Sequence, residues 1–278
     1  MEQQKRIIER ANTFNPRDNI SKLIEEFDGD RDFVTSLARG LAVMQAFSQR
    51  ARQLTVSQIS SQVGISRAAV RRSLLTLVKL GFAGTHDEQH YFLSPKVLSL
   101  GNAYFSSTPL ARVAQPVLER LSTLLYESCS IATLDRYEVF YMARAAVSRI
   151  MSVDLKVGSR LPAFCTSMGR VLLADLPADR LEKYLKNVAL TRYTDKTVDS
   201  TVRLERALEI TKRQGYAIVD QELELGLRSV AVPIRNNSGE TVAALNVGCH
   251  AQRVTLREMQ TTFLPHMQEV ARIIGAKL

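Results

Sequence analysis

Three arginines, Arg67, Arg71 and Arg72, follow Ser66 at the start of a short helical pattern. A guanidinium pairs bidentately with the guanine edge or clamps a phosphate. A serine at a helix start offers a hydroxyl and free backbone amides to a phosphate oxygen. Ala68 and Ala69 lie among these residues, and the group falls mostly opposite the apolar stripe Val70, Leu74, Leu77 and Val78, so it faces outward. Thr55, at the start of the preceding helix, and His90 beside Gln89 in the hairpin that follows are read as further contacts to the nucleic-acid backbone or minor groove. Between Phe33 and His86 the chain has seven basic residues and no Asp or Glu. Taken alone, the arginines are equally a solvated basic face. The capped helix–turn–helix and the acid-free run around them favour DNA.

A second constellation lies in the back half. Thr166 caps a helix beginning at Ser167, where free backbone N–H groups and the positive end of the helix dipole suit a small carboxylate. Gly169 in its first turn permits close approach of another group; a tight helix–sheet contact is the plain alternative. On strand 228–235, Val230, Val232 and Ile234 share one face, Ser229 and Ala231 the other. On 241–248, Asn246 and Gly248 share a face with Val242 and Ala244. Small and polar residues on one sheet face leave a cavity with hydrogen-bonding groups, unless a helix lies close against them.

The elements that must position these residues follow from periodicity. Leu37, Leu41, Met44 and Phe47 mark a helix over 33–48. Thr55 and Gln58 form a capping box for a second, with Val56, Ile59 and Val63 as its buried stripe and Gly64 as its stop. Ser66 caps the third helix and Gly81 ends it. FAGTHDEQHYFLS reads as two strands around a polar turn, a wing. Further helices are expected at 96–105, 110–126, 167–175, 178–186, 199–214 and 255–276. Strands are expected at 129–135, 138–145, 150–155, 216–220, 228–235 and 241–248, with LPAFCTS as a loop. Residues 1–32 read as an extension with short helices near 4–11 and 19–27. The fold class is α+β: a winged helix-turn-helix at 33–95, a linker helix at 96–108, and a domain at 109–278 with an antiparallel sheet flanked by helices.

Charge supports this division. Residues 31–108 carry a net +6 and residues 1–30 a net −2, in a chain of 278 residues and net +9. Cys129, Cys165 and Cys249 have neither metal nor redox spacing and read as reduced thiols. The amino terminus lacks a signal-peptide core, and no run approaches a membrane span, so a cytoplasmic protein without a membrane partner is expected. His86, His90, His250 and His266 form no metal motif, and no metal or cofactor is expected. There is no GxSxG and no phosphate loop. A Cys165–His250 nucleophile and base lacks a third orienting group, which argues against an enzyme. Low aromatic content gives little support to a single-strand binder.

The runs SLARGLAVMQAFSQ, LTVSQISSQVGISRAAVRRSLLTLVKLGF and HYFLSPKVLSLG resemble the amino-terminal domain of IclR-family bacterial transcription regulators. LPAFCTSMGRVLLADLP and QGYAIVDQELELGLRSVAVPIRNNSGETVAALNVG resemble that family's effector-binding domain. The resemblance spans about residues 34–275. Within the family the chain is similar to the Pca and Pob type, which respond to protocatechuate or 4-hydroxybenzoate. It implies a promoter-binding homodimer or tetramer, contact with RNA polymerase, and activation of aromatic-acid catabolic genes by a small aromatic acid. A repressor answering to a small aliphatic acid is the alternative. Carried over by motif, the effector residues are Ser167, Met168, Asp220, Ser229, Asn246 and Gly248. Thr166, Met168, Asn246 and Gly248 depart from the commoner Ala–Ser–Ala or Ala–Ser–Gly and strand serines. Gly248 and Met168 suit a flat ring. The resemblance puts the carboxylate at the helix start, a phenolic hydroxyl on Asn246, and Asp220 at the hydroxyl end or in the scaffold.

Overall fold

The computed structural model describes residues 24, 27, 29–47, 51–107, 109–147 and 155–278, and the chain divides into two compact units between Ser107 and Thr108. The expected helix at 4–11 and most of the strand at 150–155 lie outside the described residues.

In the first unit, α1 (Thr35–Gln45), α2 (Val56–Val63) and α3 (Arg67–Lys79) bury Val43, Ile59, Val70 and Leu74 completely. Each boundary has a local cause. The Thr55 hydroxyl accepts from the Gln58 amide at 3.3 Å, while Gln58 Oε1 accepts from the Thr55 amide at 2.8 Å. Two otherwise orphaned donors are thereby satisfied. Gly64 ends α2 at φ +67°, a left-handed conformation that favours glycine. Ser66 caps α3 by accepting from the Ala69 amide at 3.4 Å. Strands β1 (Leu54–Thr55), β2 (Ala83–Thr85) and β3 (His90–Leu93) pair in the order β1-β3-β2 and form the wing. A 3-10 turn at Pro95–Val97 leads into α4 (Leu98–Ser107).

The second unit is built on a six-stranded antiparallel sheet, β4 (Ser128–Asp135), β5 (Glu138–Ala145), β6 (Arg160–Pro162), β7 (Ala217–Asp220), β8 (Leu227–Arg235) and β9 (Thr241–His250). Its strand order is β6-β5-β4-β9-β8-β7. β6 occupies the start of the segment read from sequence as a loop. Its three residues pair with β5 and are too few to show a period-2 pattern. One sheet face carries Ile131, Val230, Val232, Leu245 and Val247. It packs on α5 (Pro109–Leu125) and α10 (Leu264–Gly275). The expected single last helix is divided: α9 (Leu256–Glu258), a π-helical turn at Met259–Phe263, then α10.

The other face carries Ala132, Ala217, Ala231 and Ala244 under α6 (Ser167–Ala174), with α7 (Ala178–Asn187) and α8 (Thr201–Gln214) completing that layer. α6 approaches closely. A Cβ on Gly169 would stand 2.0 Å from the Ala163 carbonyl oxygen, so this glycine serves backbone packing. A buried ion pair fixes α6: Arg170 Nη2 donates to Glu222 Oε2 at 2.7 Å and Arg170 Nε to the Phe164 carbonyl at 3.3 Å. Glu222 Oε2 also accepts from the Val198 amide, and its carbonyl accepts from the Thr197 hydroxyl at 2.6 Å. Breaking such a pair leaves a buried charge uncompensated. Arg170→Met therefore lowers the unfolding free energy by about 3 kcal/mol in urea titration; a loss below about 1 kcal/mol contradicts this role.

Candidate functional site

Rows of side chains across the sheet define the site. Ser128 on β4, Gly248 on β9, Ser229 on β8 and Val219 on β7 are register partners. The next row holds Arg144, Ser130, Asn246 and Ala231. A cavity of about 730 Å³ opens over these rows, beyond the alanines that α6 covers. A virtual Cβ on Gly248 meets nothing within 4 Å, so this glycine leaves open space. Apolar walls come from Leu161, Met168, Val219 and Leu223.

The start of α6 faces the cavity. Thr166 Oγ1 accepts from the Gly169 amide at 3.2 Å, while the amides of Ser167 and Met168 belong to the first turn and lack intrahelical acceptors. The Ser167 hydroxyl is buried, with the residue 1% exposed, and has no hydrogen-bond partner. A buried orphan hydroxyl is costly unless something supplies its partner. The cavity thus offers donors and one unsatisfied hydroxyl at one helix end.

Ser167, Met168, Ser229, Asn246 and Gly248 all line this one cavity. Asp220 does not. On β7 the alternation that turns Val219 inward turns Asp220 away. Its Oδ1 accepts from Arg228 Nε at 2.8 Å, and Lys196 Nζ lies 3.9 Å from Oδ2. The Arg228 hydrogen bond, foremost, holds its carboxyl below the ordinary carboxylate range. Arg228 also donates to the carbonyls of Ala251 and Val254, so Asp220 belongs to the scaffold and the hydroxyl-end placement is corrected. Val242 is displaced as well. Register passes from Ile234↔Ala243 to Arg235↔Thr241, making Val242 a bulge residue that packs with the opposite core.

Sequence reasoning missed Tyr141, Arg144 and Ser128, which also line the cavity. The alternating serines of SCSIATLD carry the same small-polar signal as Ser229. Tyr141 and Arg144 carry none, because their odd spacing places them on opposite faces of a regular strand. Pairing passes from Ile131↔Ala143 to Ala132↔Tyr141, so Met142 is an extra residue and the two come to one face. Burial pushes the Tyr141 phenol up to about 12, against the pull of Arg144, so it stays neutral. Glu127, also at the cavity, is taken by Arg253 Nε at 3.0 Å and Nη2 at 2.5 Å. Cys165 and His250 line the cavity too, but burial pushes the Cys165 thiol up to about 12, opposite to what a nucleophile needs. Among the described residues no group of three His, Cys, Asp or Glu is placed to hold a metal ion, and no helix is long and apolar enough to cross a membrane.

In the first unit, Ser66, Arg67, Ala68, Arg71 and Arg72 are exposed along the start of α3. Ala69 is half-buried and packs on the core, at the edge of that surface. Thr55 is half-buried and its hydroxyl is engaged in the cap. His90 is exposed on β3, and its Nδ1 lies 2.6 Å from Asp87 Oδ2. Asp87 also accepts from the His90 and Gln89 amides, and these bonds hold its carboxyl well below the carboxylate range. The wing tip therefore carries Asp87 and Glu88 beside His90, a less cationic surface than α3.

Residues 36–87 match the IclR helix-turn-helix domain, and residues 102–276 match the C-terminal domain of the bacterial transcriptional regulator IclR. The chain belongs to the IclR family. It is a DNA-binding transcription regulator, not an enzyme. It is 53% identical over 253 residues to the Pca regulon regulatory protein of Pseudomonas putida, covering 91% of this chain and 87% of that protein. It is 35% identical to the p-hydroxybenzoate hydroxylase transcriptional activator of Acinetobacter baylyi, covering 86% and 90%. An IclR homolog from Microbacterium hydrocarbonoxydans, solved in complex with 4-hydroxybenzoate, superposes with a TM-score of 0.76 at 26% identity, covering 87% and 98%.

Filling the open space at Gly248 tests the cavity. Gly248→Leu, which adds a side chain where nothing now lies within 4 Å, abolishes binding of small acids in calorimetry while the thermal midpoint stays within a few degrees. Retained binding contradicts the assignment. The thiols give a second check: with Cys165 and Cys249 held up to about 12 by burial, native protein at pH 8 resists alkylation that unfolded protein undergoes in minutes. Rapid labelling of the native protein contradicts their burial.

Proposed function

We propose that this regulator binds promoter DNA through the start of α3 and activates aromatic-acid catabolic genes in response to a small hydroxybenzoate-type acid. The single observation that carries the effector reading is the cavity whose floor is Ser128, Ser229, Gly248 and Asn246 and whose end is the start of α6. A carboxylate satisfies the free amides and the orphan Ser167 hydroxyl; Asn246 bonds a phenolic hydroxyl; Met168 and the leucines flank the ring. The named activity of the Acinetobacter relative and the ligand of the Microbacterium homolog support this choice. On α3, Ser66, Arg67, Ala68, Arg71 and Arg72 meet phosphates and base edges, with Ala69, Thr55 and His90 at the margin. Two or four chains present these helices to half-sites a whole number of turns apart. The exposed apolar residues Val34, just before α1, and Leu37 and Leu41 on it support such pairing. Contact with RNA polymerase follows from the activator reading.

One observation favours a second ligand class. The cavity is lined by a cation, Arg144, as well as by a helix start, so its field favours a ligand with more than one negative charge. An open-chain dicarboxylic acid, such as oxidative ring opening leaves, is that alternative.

Fluorescence anisotropy with a duplex from the chain's own promoter tests the DNA surface. Arg67→Ala and Arg71→Ala each weaken binding about 10-fold and reduce the salt slope by about one; wild-type affinities contradict the assignment of α3. A thermal-shift series tests the ligand. Protocatechuate or 4-hydroxybenzoate at a hundredfold excess over its dissociation constant raises the midpoint by about 5 °C. A shift with adipate alone selects the dicarboxylate reading. A shift with pyruvate or glyoxylate alone overturns both.

A further inference from the structure

Two buried hydroxyls without partners among the described residues line the cavity. The first is that of Ser167. The second belongs to Tyr141, a residue 3% exposed whose phenol makes no hydrogen bond. Its backbone is engaged on both sides. The amide donates to the Ser159 carbonyl at 3.0 Å, and the carbonyl accepts from the Gly158 amide at 2.9 Å. The ring lies in an apolar cluster with Val139, Phe164, Cys165 and Met168, where a phenylalanine would pack as well. A buried hydroxyl that bonds to nothing costs stability, so packing does not account for it.

Topology groups this phenol with the start of α6. Before the bulge at Met142, β5 alternates regularly, so Tyr141 shares with Val139 the sheet face that α6 covers. Its row continues through Ala132 on β4 and Ala244 on β9, two of the alanines under that helix. β6 pairs with β5 at Val139↔Leu161, and the Ala163 amide donates to the Tyr137 carbonyl at 2.9 Å. From Ala163 the chain runs straight into the Thr166 cap and the first turn of α6. Asn246 lies on β9, with β4 between it and β5. Strands are spaced by about 4.8 Å, so Tyr141 and Asn246 rise from columns about 10 Å apart. Burial holds the Tyr141 phenol up at about 12, so at neutral pH it keeps its proton and carries no charge to repel an anion.

We propose that Tyr141 is a specificity-determining residue of this cavity: its phenol donates to the carboxylate received at the start of α6, completing one station with the Ser167 hydroxyl and the free amides of the first turn. The proposal rests on the acid-sensing reading above. It assigns Tyr141 to the carboxylate and leaves the far end of the ligand to Asn246. An ionised carboxylate has about four lone-pair sites on its two oxygens, enough for both hydroxyls and the amides. It holds for either ligand class, since each brings at least one carboxylate to that station.

The experiment is calorimetry on the full chain with protocatechuate, 4-hydroxybenzoate and adipate. Tyr141→Phe loses about 10- to 100-fold in affinity for the acid that wild type binds, the range for a hydrogen bond to a charged group. Its unliganded thermal midpoint stays within a few degrees of wild type or rises, because the hydroxyl removed bonds to nothing in the free protein. Two double-variant cycles locate the bond. Combined with Ser167→Ala, the loss departs from the product of the single losses by about 3-fold or more, since both hydroxyls serve one carboxylate. Combined with Asn246→Ala, it stays within about 2-fold of the product. Wild-type affinity in Tyr141→Phe, a midpoint lowered by more than about 5 °C, or coupling to Ser167 no greater than to Asn246 overturns the proposal while the acid sensor stands. If wild type binds none of the three acids, the acid-sensing reading falls and takes the proposal with it.

Discussion

The two faces of one sheet are held to different sizes of side chain, and the cavity depends on that difference. One face must present Ile131, Val230, Val232, Leu245 and Val247 to α5 and α10, because those helices bring Leu118, Leu121, Met267 and Ile274 against it. Full burial of such side chains is worth about 1.5–3 kcal/mol each, so this face anchors the fold. The opposite face is then free to carry small residues. Where they are alanines, α6 packs over them, and Gly169 makes room for the Ala163 backbone of the loop that leads into the helix. Where they are Ser128, Ser229, Gly248 and Asn246, none of the described helices fills the space and the cavity remains. The cavity proposed as the effector site is thus a place where packing stops, bounded by a helix start whose donors are already aligned.

The DNA-reading unit rests on local rules. Short helices need help to start and stop, and here the capping box at Thr55, the glycine at 64 and the cap at Ser66 supply it. With those boundaries fixed, three core residues, Ile59, Val70 and Leu74, set the angle at which α3 stands out, and its arginines project from the surface. The absence of acids from residues 33–86 removes intramolecular partners that would neutralise them. Acids return only at the wing tip, where Asp87 holds His90. Electrostatic attraction is therefore concentrated on the helix more than on the wing.

Most of this was legible from residue order because it follows short-range periodicities. Caps, glycine stops and the alternation along β8 and β9 each announce themselves within a few residues, and the start of α6 was marked by Thr166 and Gly169. What escaped were departures from period two. The bulge at Met142 brought Tyr141 and Arg144 together, and the one at Val242 carried that residue to the other core. A bulge is visible only through the partner strand's register, which a single segment does not contain. Asp220 misled for a related reason. The motif match placed it in the pocket, while its own strand position and Arg228 opposite it pointed to the scaffold. The brief edge strand β6 and the π-turn at Met259–Phe263 were hidden by being too short or too nearly helical to leave a distinct pattern.

A regulator of this kind requires a coupling free energy between cavity and DNA, and linkage makes that coupling reciprocal. The most direct measurement is the affinity of the activating acid for the full chain with and without its saturating promoter duplex, by calorimetry at one salt concentration. The account predicts that the duplex changes acid affinity by the same factor by which the acid changes duplex affinity, about 5- to 150-fold for ordinary allosteric coupling. Acid affinity that is identical in the presence and absence of the duplex contradicts it.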